Sequence, residues 1–250
     1  VADAIRRLFG ALLLLAPLLA AADLPALVRQ SKPAVVMVGT WSETDSPRFT
    51  MRGTGFAVGD GLGIVTNAHV LPPATETGKE LRVMAWKGGK DWEPRVARVE
   101  RLQRQSDLAL LRIEGTPLPV LRLADGEPLA EGSDVALIGF PIGGLLGFSH
   151  ATHRGVVAAV TELIPPQPSG RALNAAAVRQ ARDGSFPIYQ LDIVAYPGNS
   201  GGPVFDVASG RVIAVLNMGL TKAGREGALS APTGISYAIP VAQLQALLAR

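Results

Sequence analysis

Short β-type runs, set apart by glycine, proline and aspartate, constrain this chain more than any other feature. Ala34 to Thr40, Phe49 to Val58, Gly63 to Val70, Leu81 to Trp86, Arg95 to Leu102 and Leu108 to Ile113 follow one another with turn signals between them. A second series, Val135 to Phe140, His153 to Leu163, Ile188 to Ala195, Pro203 to Val207, Val212 to Leu216 and Ile235 to Ile239, repeats the style. Pro94 to Val99 mixes apolar and charged residues as a half-buried strand should. Pro25 to Ser31 reads as a short helix or a lead-in. Only 241–250 has a convincing helical face, formed by Val241, Leu244, Leu247 and Leu248. Many short strands, few helices and 28 glycines predict an all-β sandwich or barrel architecture, and 250 residues suit two barrels in tandem better than one.

The ends and the composition narrow the class. Arg6 and Arg7 precede the leucine-rich run Leu8 to Leu19, and Ala20-Ala21-Ala22 follows before Asp23. That order predicts a secretory signal peptide over 1–22, with an uncleaved anchor as its rival. The run is short for a membrane span, which needs roughly 20 residues, so no stable span is expected after cleavage. The mature domain is expected over 23–250. The net charge of +3 carries no basic stripe, which argues against nucleic acid as a partner. The chain has no cysteine, which excludes disulfides, thiolate catalysis and cysteine-bound zinc. A surface insertion is expected over 165–187. It reads first as a solvated loop and second as a cover for one edge of a cleft.

Chemistry concentrates in Gly198-Asn199-Ser200-Gly201-Gly202-Pro203. A serine in a glycine run can sit at the tip of a tight turn, its hydroxyl open and backbone N–H groups beside it. The chain has three histidines. His69 closes an apolar strand ahead of Pro72-Pro73. On its own, a lone histidine at a strand end is more often structural or simply exposed. His150 and His153 fall on opposite faces of a strand, which argues against a shared metal, and they read as structural. Most acids lie among polar neighbours. Asp107 instead stands at the mouth of the apolar run Leu108 to Leu111, where a carboxylate can hold a histidine tautomer.

Taken together, Gly53-Thr54-Gly55-Phe56, Thr66-Asn67-Ala68-His69-Val70, Asp107-Leu108-Ala109-Leu110 and the Ser200 turn resemble the trypsin-like serine proteases, in the order His, Asp, Ser. Asn199, Gly139-Phe140-Pro141-Ile142-Gly143 and Gly234-Ile235-Ser236-Tyr237-Ala238-Ile239-Pro240 resemble the HtrA/DegP branch. The resemblance runs from about Val35 to Pro240. It implies two six-stranded antiparallel β-barrels, the first about 34–123 and the second about 132–240, then the C-terminal helix 241–250.

It also implies a serine endopeptidase with Ser200 as nucleophile, His69 as general base and Asp107 as its orienting acid. The N–H groups of Gly198 and Ser200 would form the oxyanion hole. Val194 resembles the floor of the specificity pocket, Asn217, Met218 and Gly219 its wall, and Gly234 a residue that leaves it open. An apolar floor implies cleavage after small or medium apolar residues. Asn199 is neutral where zymogen-type relatives carry an acid, so their N-terminal activation switch is not expected. A PDZ extension is not expected either. No metal or cofactor is implied. The implied partners are polypeptides, unfolded proteins among them, in a periplasmic or secreted location. The resemblance implies trimers made through N-terminal aromatic contacts, but Asp23 to Ser31 contains no aromatic residue, so a monomer is favoured. The alternative is a peptide-binding or chaperone-like module that keeps the fold without turnover.

Overall fold

The computed structural model describes residues 23–144, 147–163, 186–217 and 234–249. The expected leader 1–22 and most of the expected insertion 165–187 lie outside the described residues. The described chain is built from α1 (Leu24–Ser31), β1 (Val35–Trp41), β2 (Phe49–Val58), β3 (Gly63–Asn67), β4 (Glu80–Gly88), β5 (Asp91–Gln103) and β6 (Leu108–Ile113). It continues with β7 (Asp134–Gly139), β8 (Ala151–Leu163), β9 (Phe186–Asp192), β10 (Pro203–Asp206), β11 (Val212–Asn217), β12 (Ile235–Pro240) and α2 (Val241–Leu248).

All ladders between these strands are antiparallel, and they close into two barrels. The first has the cyclic order β1-β2-β3-β6-β5-β4, the second β7-β8-β9-β12-β11-β10. The two halves therefore repeat one connectivity, and closure leaves no unpaired sheet edge. The expected all-β, two-barrel architecture with a C-terminal helix is the one observed.

β-Branched and leucine-rich runs form these strands because their side chains pack well on a pleated, half-buried surface. β5 departs from the expected alternation. Arg95 points inward and is 8% exposed, while Val99 is 46% exposed. The Arg95 guanidinium meets Glu93 Oε2 at 2.7 Å and the Thr116 carbonyl at 2.5 Å, which satisfies its buried charge. The pairing of β5 with β6 slips between Val99 and Arg101, and such a bulge reorients the side chains on either side of it.

One apolar cluster fills the first barrel and continues through Ile138, Phe140, Phe205, Val215 and Ile239 into the second. A smaller cluster, with Val135, Leu137, Tyr189, Leu191 and Leu216, fills the second barrel's interior. Burying each such Leu, Ile or Phe contributes about 1.5–3 kcal/mol. The connection between barrels is fastened to both. Leu118 N–H bonds to the Gly61 carbonyl at 2.9 Å, and Leu121 N–H to that of Ala57 at 3.1 Å. Ala124 N–H then bonds to the Val212 carbonyl at 2.9 Å. Helix α2 buries Val241, Leu244 and Leu247. It packs on β5 and β6 of one barrel and on β11 and β12 of the other. Arg101 of β5 donates to the Leu247 and Leu248 carbonyls at the end of α2, closing its C-terminus.

Candidate active site

The site lies where β3 and β6 of the first barrel meet the turn before β10 and the end of β11 in the second. His69 was expected on a strand running to Val70. The strand ends at Asn67 instead, and Ala68–Val70 forms a 3₁₀ turn. Partners far along the chain impose that turn. Ala68 N–H bonds to the Asp107 carbonyl at 3.0 Å, and Asn67 Nδ2 bonds to the same carbonyl at 3.0 Å. The His69 N–H donates to Asp107 Oδ1 at 2.9 Å. Asp107 itself adopts φ 52°, a left-handed conformation that Asp tolerates better than most residues.

The His69 ring lies on the same carboxylate, with Nδ1 2.5 Å from Asp107 Oδ2. Asn217 Nδ2 donates to Oδ2 as well, at 2.8 Å. A carboxylate so placed accepts hydrogen bonds, so His69 carries its proton on Nδ1 and leaves the Nε2 lone pair available to accept one. Sequence reasoning placed Asn217 on a pocket wall. Its side chain is buried and donates to Asp107 in the opposite barrel. The sequence signal is slight, a polar residue ending the apolar run of β11.

Ser200 arrives on the second barrel and is 5% exposed. Its turn is bonded on both sides. Thr54 N–H of β2 donates to the Ser200 carbonyl at 2.8 Å, and Gly201 N–H donates to the Leu216 carbonyl at 2.9 Å. Leu216 N–H returns to the Gly202 carbonyl at 2.9 Å, one residue before Asn217 reaches Asp107. Gly201 has φ 84°, and any side chain there would collide with the Thr54 carbonyl. Gly198 has φ 103°, and Thr54 Oγ1 donates to its carbonyl at 2.7 Å, which fixes the peptide leading to Asn199. Asn199 is wholly buried, with its N–H on the Tyr196 carbonyl at 3.0 Å. Thr54 therefore ties the first barrel to the turn through both its amide and its hydroxyl.

Of the remaining candidates, Val194 and Gly234 are among the described residues. Val194 is 39% exposed, just past the end of β9. The Gly234 carbonyl accepts Ile193 N–H at 2.9 Å and opens β12 beside Asp192. Met218 and Gly219 lie outside the described residues. Among the described residues, no group of three or more His, Cys, Asp or Glu side chains is arranged to hold a metal ion.

The two other histidines are each half-buried beside aromatic rings. His150 Nε2 donates to the Val35 carbonyl at 3.0 Å, inside a shell of Trp86, Trp92 and Phe140 with ring centroids 4.6–5.4 Å away. Burial pushes its pKa down to about 4, with the charge of Lys32 acting in the same direction. His153 lies beside Tyr196, centroids 6.2 Å apart, and burial lowers its pKa also.

Residues 53–215 match the model of a family described as the trypsin-like peptidase domain. A probable periplasmic serine endoprotease, DegP-like, of Halomonas elongata is 30% identical over 189 residues, covering 76% of this chain and 32% of that protein. Its counterpart in Pseudomonas fluorescens is 32% identical over the same length and shares. The chain thus spans about a third of the length of these curated relatives. Among solved structures, the Rv3671c protease from M. tuberculosis in its active form is similar with a TM-score of 0.64. It is 23% identical, over 92% of this chain and 87% of that one. The serine endoprotease from Yersinia pestis gives a TM-score of 0.63 at 23% identity, over 91% and 65% of the two chains.

Proposed function

This chain belongs to the trypsin-like peptidase domain family, and from that premise we propose that it is an exported serine endopeptidase cutting polypeptides through Ser200, His69 and Asp107. The observation that carries the reading is the Asp107 carboxylate, which receives His69 Nδ1 and Asn217 Nδ2 from two different barrels. A histidine so oriented presents Nε2 as a base. In the proposed reaction His69 takes the Ser200 proton as Oγ attacks the scissile carbonyl. The backbone N–H groups of Gly198 and Ser200 stabilise the oxyanion. Losing one such donor typically costs on the order of 10²–10³ in rate. His69 then protonates the leaving amine, and water attacks the acyl-enzyme with His69 again as base. No step calls for a metal or cofactor.

The exposed apolar side chain of Val194 favours substrates with a small or medium apolar residue, Val, Leu, Ile or Ala, before the scissile bond, because it offers apolar surface to cover and no charge to a cationic side chain. The relatives named periplasmic support export to the envelope or beyond, with 1–22 as the leader. Unfolded polypeptides are the proposed substrates and a monomer the proposed state.

Labelling with a fluorophosphonate, followed by mass spectrometry, tests the reading. The adduct is expected on Ser200 and absent from Ser200→Ala, with casein cut only by the unmodified protein and mainly after apolar residues. A folded protein that binds peptide, takes no label and cuts no casein would be the non-catalytic module instead. Cleavage mainly after Lys or Arg would overturn the assigned pocket.

A further inference from the structure

The mechanism above leaves one titratable side chain beside the nucleophile turn without a task. His153 sits on β8, half-buried, and its Nε2 lies 3.5 Å from Asn199 Nδ2. Asn199 immediately precedes Ser200. The His153 ring also backs Tyr196, whose carbonyl accepts the Asn199 N–H. One imidazole therefore touches both ends of the segment that carries the nucleophile.

We infer that His153 is a positioning residue for this turn: unprotonated, it accepts the Asn199 side-chain amide and holds the Ser200 turn in the arrangement described, and on protonation it releases it. The inference rests on the endopeptidase reading for its consequence on turnover, but not for the contact itself.

The chemistry of the amide gives the turn a second arrangement. Protonated, His153 Nε2 carries a hydrogen and faces the Asn199 NH₂, so two donors confront each other. Asn199 Oδ1 is buried and has no hydrogen-bond partner among the described residues. A terminal amide is nearly symmetric in shape. Turning it over brings Oδ1 to the imidazolium and sends NH₂ to where Oδ1 now lies. That place adjoins Gly139, where a Cβ would be 2.6 Å from Oδ1 and 3.2 Å from Thr54 Oγ1. Thr54 Oγ1 anchors the Gly198 carbonyl and accepts Phe140 N–H at 3.2 Å. A donor arriving there competes with the Phe140 N–H for the lone pairs of Thr54 Oγ1, the same hydroxyl whose hydrogen goes to the Gly198 carbonyl.

The surroundings leave this exchange to His153 itself. Its neighbour across the ladder on β7 is Leu137, which is apolar. Next to it on β8, Arg154 points to the other face and pairs with Asp134 of β7 at 3.1 Å. From the turn, the facing titratable group is the Tyr196 phenol. Burial lowers the proton affinity of His153, with no charged side chain contributing.

Two measurements test the inference. In protein carrying Ser200→Ala, which cannot digest itself, the His153 ring is titrated by NMR with and without Asn199→Asp. A carboxylate in contact with the ring is expected to tighten proton binding more than about tenfold. An unchanged titration would overturn the contact.

Separately, the rate of fluorophosphonate labelling at Ser200 is followed from about pH 5 to 8, the range in which histidines titrate, in the unmodified protein and in His153→Gln. Glutamine keeps a polar partner for Asn199 and does not titrate. The acid limb is expected to reflect more than one proton in the unmodified protein and to become shallower in the variant. Coincident limbs would overturn the positioning role, since a side chain that only packs would leave the profile unmoved. Absence of labelling at every pH in both proteins would count against the endopeptidase reading, while the NMR titration would still decide the contact.

Discussion

Asp107 is the residue on which this site turns. It accepts His69 N–H, His69 Nδ1 and Asn217 Nδ2, and its carbonyl accepts from Ala68 and Asn67. Its side chain both holds the histidine turn, through Oδ1, and sets the histidine tautomer, through Oδ2, so the two functions are not separable by substitution at Asp107. Asn217 offers a cleaner probe. Asn217→Ala removes one hydrogen bond to a charged group, worth about 1.5–3 kcal/mol. The expected result is a fall of roughly ten- to a hundredfold in kcat/KM, with the fold retained by circular dichroism. An unchanged kcat/KM would show that Asp107 is held well enough from its own barrel. Asp107 stood out in the sequence at the mouth of an apolar run, and His69 through the motif Thr66-Asn67-Ala68-His69-Val70 that carries the family resemblance. Asn217 only ends the apolar run Val212 to Leu216, and its tie to Asp107 depends on how β11 meets the first barrel. That relation is tertiary and leaves no local pattern.

At the scale of elements, the strands were legible and their irregularities were not. Each expected β-run is a strand, within a few residues at the ends, because turn-forming residues punctuate β-branched runs of a length that suits strands. The 3₁₀ turn of His69 and the inward Arg95 escaped because acceptors remote in sequence, on Asp107 and Thr116, decide them. The aromatic shell of His150 escaped as well, being assembled from β4, β5 and the segment between β7 and β8. That shell has a consequence for stability. The unfolded chain binds a proton at His150 below its ordinary value of 6.5, and the folded chain only below about 4. Between these values the unfolded state holds more protons, so stability is full above pH 6.5 and falls as pH drops toward 4, by up to about 3 kcal/mol. Comparing urea midpoints near pH 7 and pH 5, the unmodified protein is expected to lose more than His150→Phe. Equal losses would show that the imidazole is not the group responsible.

The whole molecule consists of two barrels that share a core. The larger apolar cluster crosses between them, the connection bonds to both, and α2 lies over strands of each. Separate barrels would unfold in separate steps. A shared interior of this kind predicts one transition, and a lesion in α2 should be felt by both. Leu244→Ala, which empties a fully buried site, is expected to cost about 2–5 kcal/mol and to lower a single calorimetric transition as one unit. Two resolved transitions, with only one displaced, would refute this.

The division of the site between barrels also orders events in time. His69 and Asp107 are complete once the first half of the chain has been made. Ser200, and Asn217 which braces Asp107, come roughly a hundred residues later. At synthesis rates of about 5–20 residues per second, a chain emerging N-terminus first spends seconds with the proposed base and without the proposed nucleophile. On the proposed reading, a centre divided in this way stays harmless during its own biosynthesis and gains its cutting power only after the second barrel has closed.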